Sequence, residues 1–179
     1  MSLSRRELLA GACCAGAALA LRPTAAPALT PLPDGADPAI FARERFLVHF
    51  NCTQAVLESL AGQSGLTPEA VTRLTTAFAA GMWNGLTCGA VTGAVMVLGL
   101  RFGRTTDQDS KAVAVTTAKL RELNRMMTDQ FGNLACSALL GTDMATDQGV
   151  QEAAAKGLFK TKCPNLVEAA TRAAVKLMA

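Results

Sequence analysis

The sequence predicts an all-α fold: a single-domain bundle of about five to six helices, placed after an N-terminal signal segment. Apolar residues recur at three- and four-residue steps through most of the chain beyond Asp37. No segment alternates apolar and polar residues as a half-buried strand would, and no hairpin signal or internal repeat appears. The composition, 4% aromatic with no tyrosine and with 15 glycines, suits helices that approach one another closely rather than a core of large side chains.

Residues 1–28 are set apart from the fold. Ser4-Arg5-Arg6-Glu7-Leu8-Leu9 is a twin-arginine signature, followed by an apolar run from Leu8 to Leu21 and by the small-residue site Ala26-Pro27-Ala28. The run falls short of the roughly 20 residues that span a bilayer, so export fits better than anchoring. Cys13 and Cys14 lie inside it and leave with the signal. The expected location is periplasmic or otherwise exported, with the twin-arginine translocase as the partner during export. Losing Arg5, Arg6, Arg22 and Glu7 leaves 14 basic and 13 acidic residues, a net charge of +1, and no basic patch to suggest nucleic acid. A chain of this length is expected to build one domain.

Residues 29–36, with Pro31, Pro33 and Gly35, read as a linker, and 37–179 as the four-cysteine helical domain. The first helix is expected from Asp37 to about Gly62, on the spacing of Phe41, Phe46, Phe50, Val56, Leu57 and Leu60, with Cys52 inside it. Thr67-Pro68-Glu69 starts a second helix by supplying an N-cap, a proline at the first position and an acidic first turn. This one is expected to run to about Ala80 and to break at Gly81-Met82-Trp83-Asn84-Gly85. A third begins near Thr87 and ends near Leu100. It carries Gly89, Gly93 and Gly99, which would be costly in an exposed helix and suit close packing against a neighbour or a bound group. The fourth, about Asp107 to Gln130, has the most charged face. Shorter helices follow at about Ala135–Leu140, Asp147–Lys156 and Pro164–Met178.

Four cysteines remain beyond the signal: Cys52, Cys88, Cys136 and Cys163. No two are close in sequence, which excludes a CxxC motif and a zinc-finger spacing. Cys88 follows Thr87, a candidate N-cap, and Cys163 precedes Pro164, so both fall at helix starts, where exposed amides favour thiolate. Cys136 opens a short helix after Gly132-Asn133. Three chemistries fit four thiols: two structural disulfides, a tetrathiolate metal or [2Fe–2S] site, and a reversible thiol–disulfide centre. Proteins exported by the twin-arginine route generally fold first in a cytosol where disulfides seldom form, which favours reduced thiols or a bound cofactor. His49, three residues before Cys52, is a candidate base or metal ligand. Trp83 is a candidate cover for the site, with simple packing the plainer role. No Ser-His-Asp set, P-loop or dinucleotide fingerprint is present, so a redox carrier or accessory protein fits better than a substrate-turning enzyme.

Cys52, the run Cys88-Gly89-Ala90 with Gly93, then Cys136 and Cys163 resemble the redox-active protein family named C_GCAxxG_C_C after its pattern. The similarity extends over roughly residues 40–178. It implies a redox role beside an oxidoreductase, membrane-bound or periplasmic. A related four-cysteine region occurs in split-Soret cytochromes c, where an iron–sulfur centre is suspected. This chain has no CxxCH, and so no c-type haem is expected. The combined expectation is one redox-active centre built from all four cysteines, for electron transfer or thiol/disulfide redox. Gly89 and Gly93 are its close-packing positions, and the chemistry leans toward a thiolate-bound Fe–S cluster or metal. A helical binding protein stapled by two disulfides is the alternative.

Overall fold

Asp37 and Thr67 begin helices by the same device, a side-chain oxygen that takes an otherwise unpaired amide of the first turn. Asp37 Oδ1 accepts from Ala39 N at 2.8 Å and opens α1, Pro38–His49. Thr67 Oγ1 accepts from Ala70 N at 3.2 Å and opens α3, Pro68–Thr76. Between them lies α2, Cys52–Leu60. The computed structural model describes residues 32–60, 62 and 65–179. The expected signal at 1–28 and the start of the linker lie outside those residues.

The remaining elements are α4, Gly89–Phe102; α5, Ser110–Phe131; α6, Cys136–Leu140; α7, Asp147–Ala155; a single turn α8, Leu158–Thr161; and α9, Cys163–Met178. The all-α single domain is thus present, and the described residues include no strand beyond one isolated antiparallel bridge, Thr87 with Ala135. No helix among them is long and apolar enough to cross a membrane.

The expected first helix is two helices. Phe50 takes a left-handed conformation (φ 54°) and closes α1, its N–H reaching Phe46 O at 2.7 Å. Asn51 then restarts the helix: its Oδ1 accepts from Gln54 N at 3.0 Å, and its backbone oxygen accepts from Ala55 N. An asparagine cap three residues before a glutamine is a helix-start pattern. It competes successfully with continuation of α1, and so Cys52 begins a helix instead of lying inside one.

α4 is the central element and packs against α2, α5 and α9. Its Gly89, Ala90, Val91, Gly93, Ala94, Val97 and Leu98 are buried, around a core that includes Phe46, Val56, Leu123, Met127 and Val167. The glycine spacing has a direct packing cause at two positions. A methyl at Gly93 would come within 2.9 Å of both Thr53 O and Val56 Cβ, and one at Gly89 would come within 3.1 Å of Cys52 Cβ. Gly99 differs from the expectation, because a methyl there would meet nothing within 4 Å. Gly93→Ala is therefore expected to destabilise the protein by about 1–3 kcal/mol through overpacking. Gly99→Ala should instead raise stability by about 0.5–1 kcal/mol through helix propensity. Urea denaturation of the two reduced variants checks this opposition of sign.

α5 buries only Leu123 and Met127. Its charged face carries exposed pairs such as Arg125 with Glu122 and Asp129, as the sequence pattern anticipates. Pairs of this kind contribute little to stability.

Candidate functional site

Each of the four cysteines starts a helix. Cys52, Cys136 and Cys163 are the first residues of α2, α6 and α9. Cys88 is itself the N-cap of α4, one position earlier in the helix than a Thr87 cap would place it. Cys88, Cys136 and Cys163 are buried and Cys52 is partly exposed; all four are free thiols.

Two backbone devices gather them. The bridge between Thr87 and Ala135 is flanked by hydrogen bonds from Cys88 N to Leu134 O (2.8 Å) and from Cys136 N to Leu86 O (2.6 Å). These hold the segment entering α4 beside the segment entering α6. On the other side, the lack of a side chain at Gly89 lets the start of α2 reach the start of α4. The result is an asymmetric cluster. The Cys52 thiol neighbours those of Cys163 and Cys88, while Cys136 feels Cys88 and Cys163 only as nearby charges.

The thiols differ accordingly. Cys88 is lowered below the ordinary thiol range, first by the Cys52 thiol and then by the Ala90 and Val91 N–H groups of the α4 first turn, against the opposing effect of burial. Its sulfur makes no capping hydrogen bond of ordinary geometry, so those amides act as oriented dipoles. Cys52 is raised, chiefly because its proton is shared with Cys163 and Cys88. Cys136 is raised to about 12 by burial and by the charges of Cys88 and Cys163. Of these neighbouring thiols Cys88 is therefore the more acidic and Cys52 the more basic.

Four thiolates are also the ligand count of a tetrathiolate metal or a [2Fe–2S] cluster. Among the described residues, however, no group of three or more His, Cys, Asp or Glu side chains is arranged to hold a metal ion.

His49 is turned to a different task from the one expected. Its Nδ1 accepts from Asn51 N at 3.1 Å, which leaves Nε2 carrying the proton toward Glu58 Oε2 at 3.3 Å. Glu58 is fully buried and also accepts from Arg45 Nε (2.9 Å) and Gln54 Nε2 (2.7 Å). Both ring nitrogens are thus committed to the α1–α2 joint. The Trp83 indole is 57% exposed and donates from Nε1 to Thr76 O at 3.0 Å, so it is not packed into the core.

The segment before Cys88 is conformationally strained. Ala80, Met82 and Trp83 have φ of 50°, 58° and 56°, in the left-handed region that costs a residue with a side chain about 1–2 kcal/mol. Gly85, also left-handed at φ 65°, has no room for a side chain because Ser137 occupies the space. That contact seats the turn on α6, and Ser137 Oγ is itself held by a bond from Met144 N (2.9 Å).

Sequence reasoning passed over Asn51, Thr53 and Glu58. The first had a legible signal, its capping pattern with Gln54. Thr53 and Glu58 are two of several buried polar residues on α2, and their role emerges only from their tertiary partners.

A family model described as "Putative redox-active protein (C_GCAxxG_C_C)" matches residues 50–177, a span that contains all four cysteines. No curated protein and no solved structure matches the chain.

Proposed function

We propose, since the chain belongs to the C_GCAxxG_C_C family, that it is an exported thiol–disulfide redox carrier whose working pair is Cys52 and Cys88. The observation that carries this reading is the close approach of the two helix starts, where a methyl at Gly89, the residue after Cys88, would lie 3.1 Å from Cys52 Cβ. Cys52 is partly exposed with a raised thiol pKa, and Cys88 is buried with a lowered one at the start of α4.

The chemistry follows from access and from leaving-group strength. In the disulfide form, a thiolate of a partner dithiol attacks the sulfur of Cys52, the less buried residue of the pair. The Cys52–Cys88 bond breaks, and its electron pair leaves on Cys88, the better leaving group of the two. The second partner thiol loses its proton to solvent and attacks the partner sulfur of the mixed disulfide, which releases Cys52. Cys52 takes up the first partner proton because its pKa is raised. Two electrons have then passed to the protein, the partner departs as a disulfide, and Cys88 carries the electron pair of the broken bond and exchanges its proton with solvent. In reverse the same steps oxidise the protein and reduce a partner disulfide. The exchange needs only the thiols.

An oxidoreductase bearing an accessible dithiol or disulfide is the matching partner. The twin-arginine pattern at Arg5 and Arg6 supports an encounter outside the cytosol. Free thiols at all four positions favour this reading over a scaffold stapled by two disulfides. Anaerobic purification, metal analysis and titration against dithiothreitol redox buffers test it together. The expected result is a metal-free protein that takes up two electrons in one reversible step. A stoichiometric metal or cluster, or thiols inert across the titration, would overturn it.

A further inference from the structure

Cys52 is followed by Thr53, which is fully buried beside the dithiol. Its Oγ1 lies 2.9 Å from Gly89 O and 3.1 Å from Phe78 O. Gly89 is the residue after Cys88, and so a single hydroxyl ties the residue next to one sulfur to the residue next to the other. Thr53 also stands against α4 at both glycines: methyls at Gly89 and Gly93 would lie 2.8 Å from Thr53 Oγ1 and 2.9 Å from Thr53 O.

Building on the dithiol reading, we propose that Thr53 is a positioning residue for the pair, whose hydroxyl sets the separation of Cys52 and Cys88. A disulfide forms without strain only when its Cβ atoms fall in a narrow window, roughly 3.5–4.5 Å. The approach of α2 to α4 at Gly89 brings the two cysteines together, and the hydroxyl holds them there. The Gly89 carbonyl belongs to the first turn of α4, and Phe78 lies in the segment after α3. One donor shared between them therefore fixes α2 against both elements at the level of the sulfurs. The hydroxyl donates to backbone carbonyls on the two neighbouring segments and so acts through backbone placement.

Valine keeps the shape of threonine and removes the donor. In Thr53→Val the equilibrium constant for forming the Cys52–Cys88 disulfide, read against dithiothreitol buffers by quenching and mass analysis, should fall about tenfold, the scale of a lost buried hydrogen bond. Thr53→Ser keeps the hydroxyl and should stay within about twofold of the parent protein. Helical content by circular dichroism establishes that the variants are folded, and Thr53→Ala is read in place of valine if valine does not fold. An unchanged constant in the hydroxyl-free variant would overturn the proposal, as would a serine variant shifted as far as valine. Absence of any Cys52–Cys88 disulfide in the parent protein would instead sink the dithiol reading on which it rests.

Discussion

Cys52→Ser should leave no rapidly forming disulfide in the protein, whereas Cys88→Ser should keep a slower, rerouted one. The asymmetry follows from the contacts. Cys52 is the shared neighbour of Cys88 and Cys163, and removing its sulfur deprives both of a disulfide partner. Removing Cys88 leaves Cys52 against Cys163, so oxidation there is expected to give the Cys52–Cys163 disulfide. That disulfide lacks the leaving group lowered by the α4 amides. Its reduction should slow by roughly 10–100-fold, because exchange rates rise as the leaving thiol becomes more acidic. Stopped-flow reduction by dithiothreitol followed by peptide mapping measures both rate and pairing. Equal loss in the two variants would mean that Cys52 does not hold the central position.

Glu58→Ala should cost about 3 kcal/mol of stability, the lower end expected for breaking a buried ion pair. The carboxylate is fully enclosed, and its removal strands Arg45, which is itself only partly exposed. Burial alone would raise the Glu58 pKa. Hydrogen bonds from His49, Arg45 and Gln54 outweigh it and hold the carboxyl below the usual range. A lowered folded pKa means that the unfolded chain binds the proton first as pH falls. The stabilisation is therefore complete above the unfolded value of about 4.5 and is lost as pH drops through the folded one. Acid denaturation of the alanine variant should accordingly show a flatter pH dependence below that point. Thermal melts across pH 3–7 check both the size and the slope, and parallel curves for variant and parent would contradict the assignment.

Much of the fold was legible because local chemistry decided it. Thr67-Pro68-Glu69 starts α3 as its cap, proline and charge dictate. Gly89 and Gly93 meet α2 where close packing was expected. The break at Phe50 was not anticipated, since helix periodicity runs smoothly through it. A non-glycine residue in a left-handed conformation is tolerated there only because Asn51, His49 and Thr75 hold the joint together. Gly99 looks like its two neighbours in sequence, yet it faces open space, which spacing alone does not reveal.

The site was half legible. Helix starts at Cys88 and Cys163 follow from the flanking Thr87 and Pro164, within one position. How the four helix starts are gathered depends on the bridge between Thr87 and Ala135 and on Thr53. Both are long-range contacts that leave no periodic trace in the chain. The flanking residues single out Cys88 and Cys163 as helix starts, whereas residue burial and the α4 amides set Cys52 and Cys88 apart. His49 shows the same limit: its nearness to Cys52 in sequence suggested a base, but Glu58 and Asn51 take both ring nitrogens.

The most direct test of the account is to oxidise the reduced protein with one equivalent of oxidised dithiothreitol, quench with acid, alkylate, and map the disulfide by mass spectrometry. The prediction is a Cys52–Cys88 bond, with Cys136 and Cys163 recovered as alkylated thiols. A bond that joins Cys136 to any partner while Cys52 and Cys88 stay reduced would contradict it.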